Sequence, residues 1–153
     1  MLRGFAIASL LLASCATSMV PRSTADADVI GYVNRAAALV ADSGAAACPT
    51  LRQPDWFTDD WYVFVFDETG RTVCHPARPE MVGTMASDLV DANGVHFGNA
   101  FMSAAAAEGG GWVDYMYLRP GGGSAMVPKR SYVRSVVFDG KRYVIGSGGY
   151  DVQ

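Results

Sequence analysis

Charged residues are scarce in this chain. They make up 18% of the 153 residues, and no part of the sequence is a basic run. Proteins that bind nucleic acids or anionic lipid surfaces through charge need such basic clusters. We therefore expect no nucleic-acid partner. Because half of the residues are hydrophobic, we do not expect a disordered chain, and the length suits one domain with one core.

The sequence also lacks the patterns of common catalytic and metal sites. It contains no Gly-x-Ser-x-Gly motif and no pair of carboxylates marked by spacing. The glycine runs at 109–111 and 121–123 precede neither Lys-Ser nor a helix start, so we interpret them as turns rather than phosphate-binding loops. There is no Cys-x-x-Cys-His motif, and the adjacent Cys74 and His75 would point to opposite sides of a strand. We expect no catalytic residue, no cofactor, no metal and no enzymatic activity.

The first hydrophobic run is too short to cross a membrane. Gly4 to Leu12 follow the positively charged Arg3, and the run is far shorter than the roughly 20 residues of a spanning helix. It ends in Leu12-Ala13-Ser14-Cys15, which looks like a bacterial lipobox. We predict that residues 1–14 are a lipoprotein signal peptide and that Cys15 becomes the lipidated N-terminus. The alternative is ordinary signal cleavage near Ala16 or Ser18.

A lipid on Cys15 would hold the domain in the cell envelope, on the periplasmic face of a bacterial membrane. Residues 15–25 would then form a tether and residues 26–153 the folded domain. The sequence has three cysteines, so lipidation of Cys15 leaves Cys48 and Cys74. We predict a disulfide between these two in the oxidising periplasm, with two separate buried thiols as the alternative.

The first element of the domain is predicted to be a helix that begins near Ala27, with Asp26 as its N-cap. Its apolar residues recur at helical spacing, and they are Val29, Val33, Ala36, Ala37 and Val40. Gly44 should weaken the last turn, and Pro49 should stop any continuation of the helix.

Most of the remaining elements are predicted to be strands. Five segments have strand composition and turn residues at their ends, namely 62–66, 71–75, 112–118, 129–138 and 141–145. Asp139-Gly140 is expected to form a two-residue type I′ turn between the last two. A short helix, 97–107, should lie in the long connection between strands two and three. The fold class is therefore α+β, with a five-stranded antiparallel sheet and an N-terminal helix.

Several motifs occur in an order that resembles the single Cache domain, type 2. They are Tyr62-Val63-Phe64-Val65-Phe66-Asp67 with Gly70, Cys74-His75-Pro76, Gly109-Gly110-Gly111-Trp112-Val113-Asp114-Tyr115, Pro128-Lys129-Arg130-Ser131-Tyr132-Val133 and Gly146-Ser147-Gly148-Gly149-Tyr150. The resemblance implies a PAS-like fold and an extracytoplasmic ligand-sensing function. In that family, the positions of Lys129 and Tyr132 recur as part of the pattern.

A ligand site is expected beneath the long connection from Pro76 to Gly110. Lys129 is the first candidate, as a cation that could hold a carboxylate. The other candidate ligand-binding residues are Tyr132, Trp112, Tyr115, His75 and Arg130. A regular strand would send Lys129 and Tyr132 to opposite faces, so a pocket shared by both requires a bulge or an irregular first residue.

Two functional hypotheses follow. In the first, the chain is a lipid-anchored periplasmic domain that binds a small organic acid or a similar metabolite. Because the sequence ends at Gln153 without a spanning helix or a signalling domain, we expect a separate receptor or transporter protein as partner. In the alternative, it is an accessory or interaction lipoprotein that uses the Cache fold as a scaffold without a small ligand.

Overall fold

The structure is a computed structural model that describes residues 18–150. The predicted signal peptide (1–14), Cys15 and Gln153 lie outside the described residues. Five strands form one antiparallel sheet in the order β2-β1-β5-β4-β3. The strands are β1 (Phe64–Phe66), β2 (Thr72–Cys74), β3 (Gly111–Leu118), β4 (Met126–Phe138) and β5 (Lys141–Tyr150). The predicted α+β architecture is confirmed.

A helix covers each face of the sheet. The first helix, α1 (Asp26–Ser43), packs across β4 and β5, and a 3₁₀ turn (Gly44–Ala47) and the short α2 (Cys48–Leu51) follow it. The connection from β2 to β3 crosses the opposite face, and its helix α3 (Phe97–Ala104) packs against β3. The predicted helical crossover is thus present. No helix in the described part of the chain is long and apolar enough to cross a membrane.

The alternation of side chains along the strands divides the interior into two cores. On β1, Val65 contributes to the core beneath α1, whereas Phe64 and Phe66 face the crossover. The core beneath α1 is largely aliphatic and also contains Tyr32. The core beneath the crossover is dominated by aromatic rings, which belong to Tyr62, Phe64, Phe66, Phe97, Phe101, Tyr115, Tyr117 and Tyr150.

Asp91 fastens the crossover to the outer edge of β3. One carboxylate oxygen accepts a hydrogen bond from the backbone N–H of Met116 at 2.9 Å. The other oxygen accepts hydrogen bonds from the backbone N–H groups of Asn93 and Val95 within its own turn. The connection is therefore held over the sheet by hydrogen bonds as well as by apolar packing.

Several predicted boundaries are wrong, including the start of β4, which is Met126, and the end of α3, which is Ala104. Asp26 is the first residue of α1 rather than its N-cap, a position that Ala25 occupies without a capping side chain. Pro49 lies in the first turn of α2 instead of ending a helix, because that turn needs no hydrogen bond from the proline nitrogen. The prediction for β5 is also wrong, because the strand continues beyond Ile145 to Tyr150.

Glycine permits the extension of β5, because neighbouring groups leave no room for side chains. A Cβ atom at Gly146 would collide with the ring of Phe64. One at Gly148 would collide with the backbone carbonyl of Arg130 on β4. The turn between β4 and β5 is as predicted: it has two residues, and Asp139 and Gly140 both have positive φ angles, 49° and 72°.

A disulfide joins Cys48 of α2 to Cys74 of β2, with their Cα atoms 5.6 Å apart. The two residues are separated by 26 positions. The bond ties the helical layer to an edge strand, β2, that has only three residues.

We predict that the double substitution Cys48→Ala/Cys74→Ala lowers the free energy of unfolding by about 3.5 kcal/mol, because the unfolded chain regains the entropy of the open loop. Urea denaturation of the oxidised protein and the double variant measures the difference. Added reductant should destabilise the wild type towards the variant and leave the variant unchanged. Equal unfolding free energies of the oxidised wild type and the double variant would contradict the prediction.

Candidate functional site

The amino group of Lys129 is buried in the aromatic core. Lys129 lies on β4 and is only 2% exposed. Its Nζ atom donates a hydrogen bond to the hydroxyl of Tyr62 at 2.6 Å and another to the hydroxyl of Tyr150 at 3.2 Å. The two hydroxyls lie 2.9 Å apart, and that of Tyr150 donates to the carbonyl of Leu118 at 3.1 Å. A chain of hydrogen bonds thus leads from the amine to the backbone.

Aromatic faces surround the same nitrogen. Nζ lies 4.1 Å from the ring centre of Tyr62, 4.5 Å from that of Tyr150 and 5.3 Å from that of Tyr117. Such contacts stabilise a cation by about 0.5–2 kcal/mol each, which is less than a buried charge costs. Among the described residues, Lys129 forms no ion pair with a carboxylate.

The carboxylate that acts most strongly on Lys129 already has a partner. Asp60 accepts two hydrogen bonds from the guanidinium of Arg119, each 2.7 Å long. Burial therefore lowers the pKa of Lys129 well below its usual value, and the attraction of Asp60 opposes this effect only in part. Burial also raises the pKa of Tyr62 and Tyr150, so both phenols stay neutral.

A small cavity lies beside this amine. Its volume is about 20 Å³, enough for about one water molecule. Lys129 does not line the cavity. Tyr62 and Tyr117 do, and their rings lie between the cavity and Nζ of Lys129. None of the lining residues carries a permanent charge, and they are Tyr62, Phe64, Phe66, Thr72, His75, Met81, Leu89, Phe97, Phe101, Tyr115 and Tyr117.

A groove on the surface shares a wall with this cavity. It has a volume of about 160 Å³. Four residues line both spaces, namely Met81, Leu89, Phe97 and Tyr117. These four side chains form the wall between the groove and the cavity.

His75 supplies a polar group to the cavity. It is 6% exposed, and its ring lies 4.9 Å from that of Tyr62. Burial, together with the charges of Lys129 and Arg78, lowers the pKa of His75 to about 3, so the ring is neutral at pH 7. Its Nδ1 atom accepts a hydrogen bond from the backbone N–H of Arg78 at 3.1 Å. The proton therefore resides on Nε2, which has no hydrogen-bond partner among residues 18–150.

The sheet divides the six predicted site residues into two groups. Lys129, Tyr115 and His75 face the aromatic core, where the hydroxyl of Tyr115 lies 3.0 Å from that of Ser131. Tyr132 and Trp112 pack beneath α1 instead. Tyr132 donates a hydrogen bond to the carbonyl of Gly109.

Arg130 lies with the second group. Its guanidinium sits 4.3 Å from the ring centre of Trp112 and pairs with Asp26 of α1 at 3.1 Å. The structure therefore does not bring Lys129 together with Tyr132, Trp112 and Arg130. The physical reason is that β4 pairs with β3 and β5 in continuous register from 129 to 133, without the bulge that a shared pocket requires.

Three tyrosines of the site were not predicted from the sequence: Tyr62, Tyr117 and Tyr150. The register of the sheet is the signal that identifies one of them. Lys129 pairs with Tyr115 on one side and with Tyr150 on the other, so all three side chains emerge on the same face. The sequence prediction ended β5 at Ile145 and therefore did not include the pair of Lys129 with Tyr150.

We predict that His75 makes stability depend on pH between 7 and 5. The unfolded chain protonates this imidazole near pH 6.5, whereas the folded protein does so only near pH 3, so stability falls as the pH falls through this interval. Between pH 7 and pH 5, the unfolding free energy of His75→Asn should fall by about 1–2 kcal/mol less than that of the wild type. Urea denaturation at each pH measures this.

The matched control is His96→Asn, because His96 is exposed and is the other histidine of the chain. It should keep the wild-type pH dependence. Identical dependence in His75→Asn and wild type would show that His75 is not held neutral by the fold.

Known proteins resemble this chain over most of its length. Residues 29–152 match the family described as Single Cache domain 2. A periplasmic sensor domain of a chemotaxis protein has 31% sequence identity, with a TM-score of 0.61 over 80% of this chain and 85% of that chain. A methyl-accepting chemotaxis protein from Vibrio parahaemolyticus has 24% identity, with a TM-score of 0.67 over 81% of this chain and 86% of that one.

A third similar structure is described as showing carboxylic acid recognition by a Cache chemosensory domain. It has 23% identity and a TM-score of 0.67, and covers 82% of this chain and 92% of that chain. Cache domains are extracytoplasmic small-molecule sensor domains that bind ligands rather than catalyse reactions, and such a function is consistent with a place in the cell envelope. The sequence match and the shared fold lead to one assignment: this chain belongs to the single Cache domain 2 family.

Proposed function

We propose that this domain is a non-enzymatic sensor module that binds a small monocarboxylate beneath the crossover. One observation carries the proposal: the amino group of Lys129 is buried without a carboxylate partner among the described residues. A buried cation of this kind is costly unless an anion pairs with it. A ligand carboxylate would supply that anion.

The groups around Lys129 suit a carboxylate. The charged amine donates to the hydroxyls of Tyr62 and Tyr150 and keeps a third N–H for a ligand. The Nε2–H group of His75 is a further donor without a partner in the described structure. A carboxylate has about four acceptor positions and can use such donors together. The aromatic rings of the cavity would then pack around a short carbon chain.

The charge of the site favours a monocarboxylate over a dicarboxylate or an amino acid. No acidic side chain lines the cavity, so the ammonium of an amino acid would lack a partner there. A second carboxylate would compete for cations that are already paired, because Arg78 binds Glu80 at 2.9 Å and Arg119 binds Asp60. Either ligand would leave an unpaired charge in an apolar site.

Binding must enlarge the cavity, since its present volume suits about one water molecule. Tyr117, Met81 and Leu89 lie between the cavity and the surface groove, and their displacement would make the room. The described similarity to a Cache domain that recognises carboxylic acid supports the same ligand class.

We predict that propionate at 100 to 1,000 times its Kd raises the melting temperature of the wild-type domain, because binding stabilises the folded state by about 3–4 kcal/mol. Lys129→Met should abolish the effect, because methionine fills similar space without a cation. Thermal-shift and calorimetric titrations measure this. The control is Lys141→Met, since Lys141 is the other lysine of the chain and is exposed. Equal propionate binding by Lys129→Met and wild type would remove Lys129 from the site.

We further propose that the domain is held at a bacterial membrane by a lipid on Cys15 and passes its bound state to a separate receptor or transporter. The lipobox-like Leu12-Ala13-Ser14-Cys15 supports this anchor. Expressed with its leader, the wild-type protein should fractionate with membranes, and Cys15→Ser should not. Mass spectrometry should show the lipid on residue 15, and an unmodified soluble product that begins beyond Cys15 would contradict the anchor.

The alternative function is an interaction lipoprotein that uses the fold as a scaffold. The observation in its favour is the nearly filled interior beneath the crossover. A screen of short carboxylates, amino acids and amines distinguishes the two functions. If no compound raises the melting temperature of the wild-type domain, the scaffold function is supported and ligand sensing is not.

A further inference from the structure

The charges around Lys129 affect how a ligand binds, an inference that rests on the proposed carboxylate site. Lys129 is only 2% exposed, and the hydrogen-bond partners of its Nζ are the two neutral phenols of Tyr62 and Tyr150. Neutral hydroxyls stabilise an ammonium less than a carboxylate does. The empty site therefore favours the uncharged amine, in which the nitrogen lone pair replaces one of the three N–H donors.

The other titratable groups near this amine do not provide a counter-charge. His75 is neutral, because burial lowers the pKa of its imidazole. Asp60 attracts the ammonium, but Arg119 neutralises it. Arg78 adds positive charge on the side of Tyr117, although Glu80 pairs with it. The remaining neighbours are phenols whose pKa values are raised by burial, and they are Tyr62, Tyr115, Tyr117 and Tyr150.

A bound carboxylate changes this balance. An anion within about 4 Å of the amine favours its charged form and opposes the effect of burial. We propose that the ligand binds together with one proton, which Nζ of Lys129 takes up as the carboxylate arrives. In the balanced step, one neutral amine, one proton from solvent and one carboxylate become one ammonium–carboxylate pair. No net charge is then transferred from water into the aromatic core.

Proton uptake makes affinity depend on pH in one direction. Between the pKa of Lys129 in the empty protein and its higher pKa in the complex, each unit of pH increase should weaken binding about tenfold. Below the lower of these two values, the empty site is already protonated and the affinity of the carboxylate becomes constant. The site thereby responds to the concentrations of the ligand and the proton together.

Isothermal titration calorimetry with propionate tests this proposal on the folded domain. Titrations at one pH in buffers of different ionisation enthalpy give the number of protons taken up per propionate bound. Repeating them at a series of pH values gives the maximum of this number, which should approach one. Lys129→Arg is the matched variant, because a guanidinium remains charged throughout this range. It should bind propionate without proton uptake. Propionate binding by wild type without uptake at any pH from 6 to 10 would overturn the proposal and leave the carboxylate site intact.

The two lysines of the chain allow a second measurement that needs no substitution. In protein labelled with ¹³C at lysine Cε, NMR titration should show Lys141 with the behaviour of an exposed ammonium. Lys129 should titrate at clearly lower pH in the empty protein, and propionate should move its signal to that of the charged form. A charged Lys129 in the empty protein up to pH 9 would overturn the proposal. A neutral Lys129 that no carboxylate alters would instead refute the proposed function.

Discussion

The regular alternation of β4 between β3 and β5 determines what each face of the sheet contains. Continuous pairing on both sides leaves β4 no bulge, so Lys129, Ser131 and Val133 point to one face. Arg130 and Tyr132 point to the other. A shift of one residue would exchange the two sets and would bring Arg130 into the aromatic core in place of Lys129. The position of the buried amine is thus a property of the whole sheet.

The surroundings of Lys129 show how a fold can retain a costly polar group. The phenols of Tyr62 and Tyr150 provide hydrogen-bond acceptors, and three rings provide negative aromatic faces. These contacts satisfy the amine without giving it a permanent counter-ion. A carboxylate in the same position would make a stable buried ion pair and would leave the site nothing to bind. The proposed carboxylate ligand would supply the missing counter-ion.

Two consecutive residues at the end of β2 belong to the disulfide and to the cavity. Cys74 points to the α1 side, where it is bonded to Cys48, and the next residue, His75, points into the cavity. Since β2 is a short edge strand, few backbone hydrogen bonds hold it in the sheet. The disulfide and the hydrogen bond from the N–H of Arg78 to His75 therefore contribute to the position of the imidazole. The neutral state of His75 follows from that buried position.

The sequence alone determined the fold class and the two-residue turn at Asp139 and Gly140, because these depend on local composition and on spacing along the chain. It favoured a disulfide between Cys48 and Cys74 over two separate thiols, and the structure contains that bond. It also gave Lys129 as the first candidate for the ligand site, through a resemblance to single Cache domains. The division of Lys129 from Tyr132 followed from strand periodicity once regular pairing was established.

Only the tertiary structure decided which distant side chains meet that amine. Tyr62 precedes β1 and Tyr150 ends β5, and neither residue carries a local signal of its role. Their contacts with Lys129 depend on the register of non-local strands and on glycines that let β5 approach its neighbours. Burial, and with it the lowered pKa of Lys129 and His75, comes from the crossover packed above them, which no local pattern specifies.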